Sequence, residues 1–116
     1  MSYLLSLFMQ FSVDRDDGKL ALVDSVEVQD EAHDEAKSEF MEVADGAANL
    51  AVPLGGLTTV KALLIISNQD VSFKINGGNT GVQVKTLFLR DCAVTALTVS
   101  NASGSTADVR ILAVGT

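Results

Sequence analysis

The sequence predicts an all-β domain: an antiparallel β-sandwich of jelly-roll-like type with nine or ten short strands. Three observations predict it. Hydrophobic residues fill 47% of the 116 positions while aromatic ones fill 5% and Trp is absent. The apolar weight therefore sits in Val, Leu, Ile and Ala, and branching at Cβ costs little on a pleated surface. Apolar and polar side chains alternate with period two through most of the chain. Nine glycines and one proline punctuate it, and turn signals recur about every eight to twelve residues, as sandwiches require; α/β folds need helical runs between strands. The length corresponds to one domain, residues 1–116, large enough for a core without staples. No fixed-period repeat and no linker interrupts it.

The odd positions from Tyr3 to Val13 read Tyr3, Leu5, Leu7, Met9, Phe11, Val13, and the even ones include Ser6, Gln10 and Ser12. This is a strand with one face to bury. Asp14 to Gly18 is a polar turn ending in a residue at ease with positive φ. A second strand over about 19–28 places Leu20, Leu22, Val26 and Val28 on one face, completing a hairpin over residues 3–28. Residues 29–39 read as an exposed acidic loop. Ala32, Ala36 and Phe40 permit one helical turn, but Glu31/Glu35 and Glu35/Glu39 are like-charge pairs at i, i+4 that oppose it.

A strand over about 38–44 follows, then a short one over 47–54 whose Pro53 places it at an edge or strand end. Thr58 to Ser67 is apolar on both faces in its second half, the mark of a central strand. Asn68 to Asp70 reads as a turn, and Val71, Phe73 and Ile75 define the next strand. Asn76-Gly77-Gly78-Asn79 is a tight-turn signal. Strands over 82–90, 93–101 and 107–114 complete the set, with a turn at 101–105.

The chain carries a net charge of −7. Between Asp24 and Asp45 nine acids face one base, Lys37, a local −8 that leaves +1 for the rest. Nucleic acids and anionic membranes are recognised by Lys and Arg, so neither is an expected partner. The first residues lack the positive n-region and small-residue cleavage site of a secretory signal, which predicts a chain made in the cytosol and not secreted. Asn101-Ala102-Ser103 then matches a glycosylation sequon by chance.

A catalytic site is not expected. The one histidine, His33, lies among carboxylates and reads as a solvated loop residue. Two carboxylates suffice for glycoside hydrolysis, but the acids cluster in one segment and stacking rings for sugars are scarce. Asp30 to Glu35 does not follow the alternate-residue spacing of a calcium loop, and Asp14 to Gly18 comes nearer it but is too short and ends in Lys19. Gly55-Gly56 and Gly77-Gly78 open no helix and cradle no phosphate. The single cysteine, Cys92, excludes an intrachain disulfide and has no His or Lys nearby in sequence to lower its pKa. No metal and no cofactor is expected.

The segment from about Gly46 to Val114, roughly 60% of the chain, resembles the C-terminal part of small β-sandwich structural proteins of tailed bacteriophages. The resemblance is carried by Val60 to Ser67, Val71-Ser72-Phe73-Lys74-Ile75-Asn76-Gly77, Ala96 to Gly104 and Ala107 to Val114. The acidic segment departs from it. The resemblance implies a non-enzymatic virion component. It would be a capsid decoration or cement protein on the major capsid protein, or an accessory part of the tail or baseplate, commonly a homotrimer. A carbohydrate-binding module of a fibre or baseplate is the alternative. The contacts to virion proteins or to other copies are expected at Tyr3, Leu5, Leu7, Met9 and Phe11 of the first strand and at Glu31, Asp34 and Glu35 of the acidic segment.

Overall fold

Period-two alternation becomes strand along most of the chain. A computed structural model describes residues 3–116, and among these the side chains of all but Leu20, Ala21 and Val26; the expected inward placement of Leu20 and Val26 lies outside the described residues. The fold is all-β and β-sandwich-like, with eight strands: β1 (Tyr3–Asp14), β2 (Leu20–His33), β3 (Glu35–Val43), β4 (Leu50–Ala51), β5 (Val60–Ile75), β6 (Val82–Val94), β7 (Leu97–Ser100) and β8 (Ala107–Gly115). β1 and β2 form a two-stranded sheet of their own. The others form one sheet in the order β3-β8-β5-β7-β4, with β6 on the remaining edge of β5.

β5 organises the body. Its first half, Val60 to Ser67, lies between β8 and β6, and its second half, from Val71, between β7 and β6. The expected turn at Asn68 to Asp70 is instead an irregularity inside one 16-residue strand, so two predicted strands fuse. Local hydrogen bonds make this possible. The buried Ser67 hydroxyl donates to the Gln69 carbonyl (2.8 Å) and accepts from its N–H (3.2 Å). Asn68 takes over the ladder beside it, its Oδ1 accepting from the Asp108 N–H at 2.8 Å. The bend curls the sheet around Leu63, Ile65, Val71, Phe73, Val99, Val109 and Ile111, all buried. Small branched side chains fill this space, as the composition predicts.

Register divides each strand of the curled sheet into an inner and an outer face. Leu63↔Ala113 and Ile65↔Ile111 face the core. Leu64 and Ile66 on β5, Leu112, Arg110 and Val114 on β8, Ala36 and Phe40 on β3, and Phe88 and Arg90 on β6 share the outer face.

The acidic segment 29–39 is strand, not loop. β2 runs on to His33 because its last residues pair with Tyr3, Leu4 and Leu5 of β1. The chain bends at Asp34, and β3 begins at Glu35 against Gly115 of β8. Backbone pairing on both sides of the bend outweighs the helical spacing of Ala32, Ala36 and Phe40. The strands expected over 47–54 and 93–101 shorten to β4 and β7, the latter because β6 continues to Val94. Two turns behave as read: Gly18 (φ 82°) closes the β1–β2 tip, and Asn76 and Gly77 (φ 53° and 74°) close the β5–β6 hairpin.

Candidate functional site

The hairpin β1–β2 is an arm. Its strands of 12 and 14 residues reach about 40 Å at strand rise, and they pair only with each other. The molecule measures 46 × 42 × 23 Å, with a radius of gyration of 15.8 Å against about 13.4 Å for a compact chain of this length. One residue, Asp34, joins the arm to the body.

Two features hold the arm's root on the outer face of the sheet. Leu5 and Leu7 line an apolar cleft of about 430 Å³ with Ala36, Ala62, Phe88 and Leu112. Ala62 is only 3% exposed although its register places it on the outer face. Beside the cleft, Glu31 accepts from Arg90 Nε at 3.0 Å and Nη2 at 2.9 Å, and from His33 Nε2 at 2.8 Å. The hydrogen bonds from His33 and Arg90 hold the Glu31 carboxyl below the usual glutamate range. His33, expected as a solvated loop residue, is half-buried at the end of β2 because it caps this carboxylate.

Beyond the root the arm changes character. The ladder shifts between Leu5↔Glu31 and Leu7↔Val28, with Asp30 at φ 55°. A β-bulge of this kind bends the strand that carries it and raises its local twist. The first-strand face was expected to be buried, but past Leu7 it is not: Met9, Phe11 and Val13, with Leu22 opposite, are exposed, Phe11 to 64%. Among the described residues, no element of the body makes more than slight contact with the arm. The other face of the arm adds Leu4, Phe8 and Val23, also exposed. Among the described residues, eight large apolar side chains of the arm are exposed to about half their area, divided between its two faces, and Met9, Phe11, Val13 and Leu22 on one face present roughly 350 Å². The largest patch on an ordinary monomer is about 300–600 Å².

The expected contact residues therefore separate. Tyr3, Met9 and Phe11 are exposed, Leu5 and Leu7 are half-buried in the root cleft, Asp34 and Glu35 are exposed at the bend, and Glu31 is engaged within the chain. Sequence reasoning did not name Phe40 and Leu112 on the outer face of the body sheet, where Phe40 is 63% exposed and Ile66 and Leu112 are exposed beside it. Its signal was present in the two-sided apolar run Leu63 to Ile66, which supplies both faces of β5.

A second cleft of about 620 Å³ lies at the arm's root, between Glu31, His33, Asp34, Lys61, Asp91 and Cys92. Burial pushes the Cys92 thiol up, and its Sγ donates to the Val60 carbonyl at 3.4 Å. Among the described residues no three His, Cys, Asp or Glu side chains converge as metal ligands do. A comparison with protein-family models finds no match, and neither do comparisons with curated proteins and with solved structures.

Proposed function

We propose that the chain is a non-enzymatic assembly subunit whose work is to hold protein chains together, with the β1–β2 arm as its main contact element. One observation carries this reading: a hairpin latched only at its root, with large apolar side chains exposed on both faces of its outer half. An isolated two-stranded hairpin is marginal in water, and three strands or a packing partner are needed to stabilise it. An apolar patch of this size is often a functional contact surface.

The sequence resemblance over Gly46 to Val114 specifies the setting we favour. The chain would be a structural component of a tailed-phage virion, a decoration or cement protein on the major capsid protein, with a tail or baseplate position as the alternative. The test is to purify particles by density gradient from a host producing the chain and to quantify it in each fraction. Co-sedimentation in fixed ratio to the capsid or tail proteins is expected. A chain left wholly in the soluble fraction would overturn the virion setting. Replacing Phe8 and Phe11 by Ser in the same experiment should lower occupancy at least tenfold with the β spectrum intact.

A further inference from the structure

Each chain carries two uncovered apolar half-faces, and they match one another. The first is the overhanging half of the arm: Met9, Phe11, Val13 and Leu22, with one carboxylate among them, Asp24, which pairs in register with Phe11. The second is the part of the sheet's outer face that the arm's root leaves uncovered: Phe40, Ile66 and Leu112. It has one guanidinium among them, Arg110, in register with both Phe40 and Ile66. Among the described residues the ion pairs are Arg15–Asp17, Glu31–His33 and Glu31–Arg90, so neither Asp24 nor Arg110 belongs to one.

From this match we infer that the occupant of each half-face is a second copy of the chain: the distal arm of one copy lies on the open outer face of the next, with Asp24 against Arg110. The inference rests on the assembly-subunit reading and names its first partner. Within one chain the root of the same arm face already lies by the root of the same sheet face, with Leu5 and Leu7 lining one cleft with Ala62 and Phe88. The contact between copies extends that arrangement outward with the same kinds of residue.

Size and charge both fit. Four half-exposed side chains on the arm present roughly 350 Å² of apolar area, and the three on the sheet somewhat less. The apolar share of a standard interface is about 450 Å² per partner. A lone carboxylate among apolar residues is costly to cover unless a cation meets it, and Arg110 provides that cation on the facing surface. The contact joins unlike surfaces, so it is either reciprocated in a two-fold pair or passed on around a closed ring.

The experiment is analytical ultracentrifugation of the purified full chain across concentration at 0.15 M salt, with Asp24→Arg and Arg110→Asp. Self-association is expected for the native chain. Each reversal should raise its midpoint concentration at least tenfold, and mixing the two variants in equal amounts should restore it, wholly in a two-fold pair or even-numbered ring and in two of the three contacts of a three-membered ring. The reversals move the net charge in opposite directions, from −7 to −5 and from −7 to −9, so loss in both cannot come from net charge. Recovery on mixing cannot come from unfolded chains. A native chain that stays monomeric, association indifferent to either reversal, or failure to recover on mixing overturns the inference. Because no other protein is present, these outcomes leave the attachment to particles to be judged by its own experiment.

Discussion

Among the described residues Asn101 is the most deeply buried polar side chain, its polar atoms all put to use, and its removal should be felt throughout the fold. It is 1% exposed. Its Nδ2 donates to the Val43 carbonyl at 2.9 Å and to the Ser105 carbonyl at 2.8 Å, and its Oδ1 accepts from the Ser103 N–H at 3.0 Å. The amide thus ties the end of β3 to the loop between β7 and β8. Asn101→Ala removes three bonds worth about 1 kcal/mol each and strands their partners, so a loss of about 3 kcal/mol is expected. For 116 residues the unfolding entropy near the midpoint is about 0.24 kcal/mol/K, which converts that loss to a fall of about 12 °C. Urea and thermal melts followed by far-UV dichroism would read it, at one low concentration so that self-association does not add to stability. Asn101→Asp should cost more than Ala at neutral pH, because a carboxylate oxygen would face two carbonyl oxygens in a buried site. Part of that cost should return as the pH falls and the acid is protonated. A loss below about 1 kcal/mol for Ala, or an Asp variant as stable as the native chain, would refute the account. The same burial makes the sequon at Asn101 unusable in the folded chain, since both amide hydrogens are already donated.

Three further outcomes follow from the geometry. The Glu31 carboxyl lies below its ordinary range in the fold, so its hold on the arm's root is complete at neutral pH and is lost as the pH falls through that lowered value. Hydrogen exchange of residues 3–33 should therefore speed up in acid, and Glu31→Gln should speed it already at pH 7 while leaving β5 and β8 protected. Gly115 has no room for a Cβ, which would lie 2.0 Å from the Thr59 carbonyl oxygen. Gly115→Ala should then lower the thermal midpoint by more than the ~4 °C that accompanies each kcal/mol in a chain of this size, against no change if the β5–β8 end simply opens. Burial raises the Cys92 thiol, so disulfide reagents at pH 7 should label it at least tenfold more slowly than glutathione and at an equal rate in urea; fast labelling of the folded chain would contradict its placement.

What could be read in advance depended on whether residues a few positions apart decided the outcome. Val71, Phe73 and Ile75 alternate with polar residues and are strand, and Asn76-Gly77 is a turn because only those residue types enter positive φ at low cost. Residues 29–39 misled because their charges and Ala spacing are local signals, whereas the pairing that makes them strand comes from β1 and β8, more than twenty and seventy positions away. The turn expected at Asn68 to Asp70 failed for a related reason: Ser67 and Asn68 satisfy the backbone inside the strand, so polarity there marks a bend and not an end. At the candidate site, period two correctly set Tyr3, Met9 and Phe11 on one face of β1. It could not say that the body would cover only the root of that face, because the bulge at Asp30 is set by cross-strand register.

Salt should separate a contact between copies from docking on a basic partner. Residues 3–33 carry seven acids and two bases, −5, and residues 34–116 carry eight acids and six bases, −2. An arm laid on the body of another copy therefore brings together two surfaces of like sign, and the attraction of a single Asp24–Arg110 pair opposes that repulsion only in part. The screening length falls from about 10 Å at 0.1 M to roughly 3 Å at 1 M. Raising the salt weakens the net repulsion over the whole surface more than it weakens one close pair, whose charges meet at hydrogen-bond distance, shorter than the screening length up to 0.5 M. Apolar burial between Phe11 and Phe40 is insensitive to screening. Self-association of the purified chain should therefore strengthen by severalfold between 0.05 and 0.5 M sodium chloride. Attachment of the acidic arm to a basic surface would weaken over the same range. Sedimentation equilibrium across that series decides the matter: a midpoint concentration that rises with salt would mean that charge attraction, not apolar contact, drives the copies together.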